Sequence, residues 1–260
     1  MPSPSVPSRS ATVSGRALVT LVAVAAVLVA AFVVAPPWLA ASGSGGGFAD
    51  RRQLTEAVRK AFVEYWRSGS RDYSPDLQTV VDYWFLYHVV KAVTAALLLI
   101  VLIALGVLLW KAFLRADGVG VGKRTAHASA GALVTMLALF SLAIAMANIQ
   151  GAAAPFASLL PMLADGPTGG ESANTLEQVR QRLAESPNSG GQTPPALDAI
   201  ISDFSRYHVA MAVIAAIVAV VLIGTSVALW NRFARTESSD KSIKRVLGSY
   251  AALTTWCRWS

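Results

Sequence analysis

Residues 87–115 read YHVVKAVTAALLLIVLIALGVLLWKAFLR, and residues 207–235 read YHVAMAVIAAIVAVVLIGTSVALWNRFAR. Between the Tyr-His start and the Trp-x-x-Phe-x-Arg exit, each stretch holds 21 residues, with Lys91 the only formal charge in the first and none in the second. About 20 apolar residues in helical form cross the hydrocarbon of a bilayer. Backbone polar groups in lipid must be satisfied within their own segment, so these stretches are read as helices. The alternation of a transmembrane β-strand is absent. Set over one another at an offset of 120, the two stretches are identical at 15 of 29 positions, among them Tyr87/Tyr207, His88/His208, Trp110/Trp230, Phe113/Phe233 and Arg115/Arg235. Shared hydrophobicity alone would not repeat both the Tyr-His pair and the tryptophan exit, so the match reads as an internal duplication.

The match extends outward. Pro75 and Leu77 align with Pro195 and Leu197 at the same offset; Glu56, Val58 and Arg59 align with Glu177, Val179 and Arg180 after a one-residue slip. The run Ala17-Leu18-Val19-Thr20 recurs as Ala132-Leu133-Val134-Thr135. Four apolar blocks result, at 17–35, 89–110, 130–147 and 209–230, and the spanning helices around them are placed at 17–38, 84–112, 130–150 and 208–231. The expected fold is an all-α integral membrane protein of four transmembrane helices, arranged as two tandem, parallel two-helix repeats at 17–115 and 129–235. Their external segments, 41–82 and 151–206, are read as helical hairpins. Two spans per unit give both copies one orientation, with a symmetry axis along the membrane normal. A 1–16 tail is expected to be disordered. In the 236–260 tail, Ser249, Ala252, Leu253 and Thr255 repeat Ser129, Ala132, Leu133 and Thr135, so the chain is expected to carry the start of an incomplete third repeat and to be truncated relative to a longer ancestor.

The whole composition agrees. Hydrophobic residues make up 54 % of the 260 and charged residues only 14 %, against about a quarter charged in soluble domains. That excludes a soluble enzyme domain and a disordered chain as the dominant state. Cys257 is the single cysteine, so no intrachain disulfide is available. The net charge of +7 is a matter of topology. The two tails and the short loop between the middle spans carry twelve basic and three acidic residues, whereas the two long segments carry nine basic and twelve acidic. Basic residues stay on the cytoplasmic side, which places both termini and the short loop inside, in a multi-pass protein of the cell membrane. No nucleic-acid partner is needed to explain the charge; the lipid bilayer is the expected partner, together with other membrane-protein subunits. The first block is longer than the apolar region of a signal peptide, and the repeat argues for keeping it as a span.

Outside the spans, residues 53–67 place Leu54, Val58, Ala61, Phe62, Tyr65 and Trp66 on one helical face. Phe62, Tyr65 and Trp66 are therefore a candidate partner surface, set against packing on the protein's own bundle or on lipid headgroups. Residues 175–185 are its more polar counterpart. Pro75 and Pro195 suit first helical turns, with Ser74 and Thr193 as caps, and helices from them should project two to three turns beyond the membrane. Glycine-rich stretches at 42–47, 166–170 and 189–191 read as flexible connections.

Few residues offer chemistry. Tyr87, Trp110, Tyr207 and Trp230 are expected at the membrane interface, because 22 residues of helix separate each tyrosine-histidine pair from its tryptophan by about 33 Å. His88 and His208 stand at equivalent depths; the sharp reading is bis-histidine ligation of a metal or haem between helices, the plain one an aromatic-histidine belt. Lys91, whose counterpart is Met211, lies one turn inside the boundary. It either snorkels past Tyr87 to water or contacts an ion or lipid. Ala92/Ala96 and Ala212/Ala216 give small-residue spacing suited to close helix approach. His127 reads as solvated. No phosphate-binding loop, metal cluster, paired intramembrane carboxylates or nucleophile motif is found in a convincing context. The expected function is non-enzymatic: an accessory or assembly component of a membrane complex, without cofactor. The alternatives are a small transporter or channel subunit, and a haem-carrying electron-transfer subunit using His88 and His208.

Overall fold

The computed structural model describes residues 15–115, 121–164, 170–185 and 193–235. Seven helices make up this part of the chain: α1 (Gly15–Ser44), α2 (Arg51–Ser68), α3 (Pro75–Arg115), α4 (Val121–Ala153), α5 (Pro155–Ala164), α6 (Glu171–Glu185) and α7 (Pro195–Arg235). Among the described residues there is no strand. Four helices, α1, α3, α4 and α7, are long and apolar enough to cross a membrane. Each contains one of the expected spans. The expected tail at 1–16 lies outside the described residues as far as residue 14, and the 236–260 tail lies wholly outside them.

Local chemistry sets the helix ends. The Asp50 side chain accepts a hydrogen bond from the Gln53 backbone N–H at 2.8 Å, while the Gln53 side chain accepts from the Ala49 N–H at 2.6 Å. This reciprocal pair starts α2 two residues earlier than apolar periodicity alone suggests. Gly69 ends it in the left-handed region, φ 64°, where a side chain would be strained. Helix α3 opens on Pro75, and Ser74 Oγ accepts from the Leu77 N–H at 3.4 Å, as the serine cap predicts. Helix α7 opens on Pro195, but there the Pro194 carbonyl takes the first helical bond, from Asp198. Pro155 divides α4 from α5, because it has no N–H to return to the preceding turn. The break lies in the apolar run after the third span, which gave no expectation of a separate α5.

In the apolar half of the molecule α3 lies between α1 and α4. Leu102, Leu105 and Val134 form its buried seam, with Leu18, Leu21, Leu98, Leu109 and Ala138 packed around them. Polar side chains lock α3 to α4: Ser141 Oγ donates to the Ala95 carbonyl at 2.9 Å, and Trp110 Nε1 to Thr135 Oγ at 3.3 Å. Such bonds hold spanning helices where lipid supplies no hydrophobic drive.

The larger core lies at the other end, in a cap built by α2, α5, α6 and the first turns of α3 and α7. Phe62, Tyr65, Leu77, Phe156, Leu159 and Leu197 are its most deeply buried large side chains. The expectation of one helical hairpin per unit did not include their packing together. The two segments share a single core, for a physical reason: α6 buries only Thr175 and Val179 and has too little apolar surface to stand alone. Bonds across the cap join the segments further. Tyr65 Oη donates to the Ala196 carbonyl at 3.2 Å and Trp66 Nε1 to Gln178 at 3.2 Å, and ion pairs link Arg67 to Glu171 and Arg71 to Asp198.

Candidate functional site

The residues with the most chemistry meet where the cap joins the spanning helices. Tyr83, Trp84, Tyr87, His88 and Lys91 occupy successive turns of α3, and the helix holds them in a ladder of i, i+3 and i, i+4 contacts. The Trp84 and Tyr87 rings stack with centroids 5.2 Å apart, and Trp84 Nε1 donates to Ser158 Oγ of α5 at 2.8 Å. Lys91 Nζ donates to the Tyr87 hydroxyl at 3.3 Å and lies over the Phe32 ring of α1, 4.6 Å from its centroid. Lys91 thus reaches back one turn along α3 to Tyr87 and across to α1. Phe32 is a partner that spacing could not reveal, because it comes from another helix.

Two cavities flank this ladder. One, of about 440 Å³, lies at the boundary itself, with Val33, Phe48, Asp50, Arg51, Tyr83 and Tyr87 in its walls. The other, of about 500 Å³, is an almost wholly apolar cleft between α1, α3 and α4; Val22, Val29, Phe32, Leu98, Leu137 and Phe140 line it. Lys91 stands between them, touching Phe32 in the wall of the cleft and Tyr87 in the wall of the pocket.

The histidines occupy dissimilar surroundings. His88 Nδ1 donates to the Trp84 carbonyl at 3.0 Å, and the Nε2 edge of the ring lies against Gly151 of α4, where any side chain would collide with it. His208 Nδ1 donates to the Phe204 carbonyl at 2.9 Å, but its ring is exposed on α7. The neighbours of one ring, Trp84, Tyr87 and Gly151, are not those of the other, Phe204 and Tyr207. Among the described residues no group of three or more metal-binding side chains is gathered.

The other expected residues fall as follows. Tyr207 is half-buried, and its carbonyl accepts from Gln150 Nε2 at 3.4 Å. Trp110 packs over Gly131 of α4, and Trp230 is exposed near the end of α7. Phe62 and Tyr65 correct the idea of a free aromatic face. They are 1 % and 0 % exposed, at the centre of the cap, and only Trp66 keeps partial exposure. Burial pushes the Tyr65 hydroxyl up from 10.0 to about 12, with Arg71 opposing and Asp72 assisting, and pushes Tyr73 up as well, assisted by Asp203.

Sequence reasoning missed Asp203. Its carboxylate is buried; Oδ2 accepts from the Ala157 N–H at 2.7 Å, and Oδ1 from Arg206 at 3.2 Å. An acid on α7 thereby caps the start of α5. Its counterpart at an offset of 120 is Tyr83, so the duplication gave no hint of it. No family model, curated protein or solved structure matches the chain.

Proposed function

We propose that this chain is a non-catalytic, multi-pass protein of the cell membrane that serves as an accessory or assembly component of a larger membrane complex. In this reading both termini are cytoplasmic, the cap lies outside, and the units 17–115 and 129–235 are a tandem parallel repeat. The distribution of lysine and arginine supports the orientation, and the 15 identities in 29 positions support the repeat.

One observation carries the accessory reading: the state of α7. Every buried residue described in α7 precedes Tyr207, and from Val209 to Trp230 most of its large apolar side chains are exposed, with Ile214, Val218, Leu222 and Leu229 half-buried. Its sequence counterpart α3 is clasped on two sides by α1 and α4. The exposed part is also not a plain lipid-facing surface. It carries Ala212 and Ala216 one turn apart, and Gly224 and Thr225 within two turns of Trp230. Small and weakly polar residues of this kind belong to helix–helix contacts, because they let backbones approach and supply hydrogen bonds in lipid. On α3, Gly106 plays that part beneath Val134 of α4. A spanning helix of another subunit is the fitting occupant for α7.

The test is the native mass of the particle drawn from its own membrane in mild detergent. Other polypeptides should accompany this chain in fixed ratio. A lone monomer, or a homodimer with nothing else bound, would contradict the accessory role.

A further inference from the structure

The ladder on α3 and the two cavities beside it have a use beyond holding the bundle together. The cleft between α1, α3 and α4 runs along α1 from Val22 to Phe32, about 15 Å at 1.5 Å per residue. At about 500 Å³ it falls within the range of sites that hold small apolar ligands. Its lining is aliphatic and aromatic with Ser141 as the polar exception, and the Ser141 hydroxyl is spent on the Ala95 carbonyl. Such a volume suits a hydrocarbon chain.

The mouth of the cleft differs in kind. Lys91 Nζ stands there with three donors, one of them directed to Tyr87. Among the described residues no carboxylate lies within ion-pair distance of it. An ammonium group at the edge of hydrocarbon is costly unless an anion or water reaches it. Beyond it lies the boundary pocket, whose one acid, Asp50, is engaged as the α2 cap. Apolar length, then a cation, then a polar pocket is the order of parts in an anionic phospholipid.

We propose that this site binds one anionic phospholipid from the cap-side leaflet, with an acyl chain in the α1–α3–α4 cleft and the phosphate on Lys91 and the Tyr87 hydroxyl. Phe32 serves both parts, walling the chain and holding the ammonium group over its ring face. The site rests on the membrane placement proposed above and is independent of the accessory role. It also separates the two copies, because the counterpart of Lys91 is Met211 on the exposed part of α7.

Native mass spectrometry of the full chain in mild detergent, titrated in turn with phosphatidylglycerol and phosphatidylcholine, tests it. One phosphatidylglycerol should be retained about tenfold more tightly than phosphatidylcholine, a margin of about 1.4 kcal/mol. Lys91→Met should remove that preference and Lys91→Arg should keep it. Ala26→Leu, which fills the cleft and leaves the cation in place, should weaken retention of both lipids. Equal retention of the two lipids by the natural chain, or an undiminished preference in Lys91→Met, would overturn the site. A variant that loses its helical circular dichroism is replaced by Lys91→Gln, for which the same two outcomes apply. Recovery of the chain without detergent would instead defeat the membrane placement, before any lipid is added.

Discussion

Tyr65 shows what a single side chain does in this molecule. It is fully buried, its hydroxyl is bonded to the Ala196 carbonyl of α7, and burial raises its pKa from 10.0 to about 12. The neutral phenol is therefore favoured by folding. The stabilisation this supplies is complete below about pH 10 and is lost as pH rises towards about 12, because the unfolded chain gives up the proton first. Thermal melting in detergent, followed by near-ultraviolet circular dichroism, should show cap stability flat to about pH 10 and falling above it. Tyr65→Phe should flatten part of that fall, the rest belonging to Tyr73 and Tyr83, which burial raises too, and should lower stability at neutral pH by about 1 kcal/mol through the lost hydrogen bond. An unchanged alkaline arm in Tyr65→Phe would contradict the assignment. At this scale the sequence was legible for the order of these residues along one helix. His88, Lys91 and Tyr87 stand on α3 where their spacing from Trp110 puts them. What they touch was not legible, since Phe32 and Gly151 come from helices distant in sequence.

At the scale of helices, the apolar blocks and the prolines foretold α1, α3, α4 and α7, because length in lipid and the missing proline N–H are local constraints. Helix α5 escaped notice for the opposite reason. Its ten residues continue an apolar run, and its start is completed from outside by Asp203 of α7. That carboxylate replaces the intrahelical acceptor the Ala157 N–H lacks, and it is nearly inaccessible to water. Asp203→Ala should leave a buried donor unmet and cost about 1–3 kcal/mol. Asp203→Asn keeps an acceptor in place and should cost distinctly less. Denaturant titration of the two variants in detergent separates them. Equal stability of Asp203→Ala and the natural chain would remove the cap role.

Taken whole, the molecule joins its two halves twice, in the cap and along the α3–α4 seam, and leaves α7 without a buried residue along its described apolar length. The cap buries residues from both long connecting segments in one core, and α1, α3 and α4 form a seam to which α7 contributes no side chain. The shared core was not legible in the repeat pattern, since a pattern shows what two segments have in common and not what one gives the other. The openness of α7 was equally hidden, because sequence repetition suggests that α7 is packed as α3 is. If the chain is an accessory subunit, that open length is where a helix of its partner lies. The most direct measurement is photo-cross-linking in the native membrane, with the cross-linker placed in turn at Val213, Ile217, Val220, Ile223 and Val227. One discrete polypeptide adduct should form, recurring at positions that share a face of α7. Adducts to lipid alone at all five positions would contradict the accessory role.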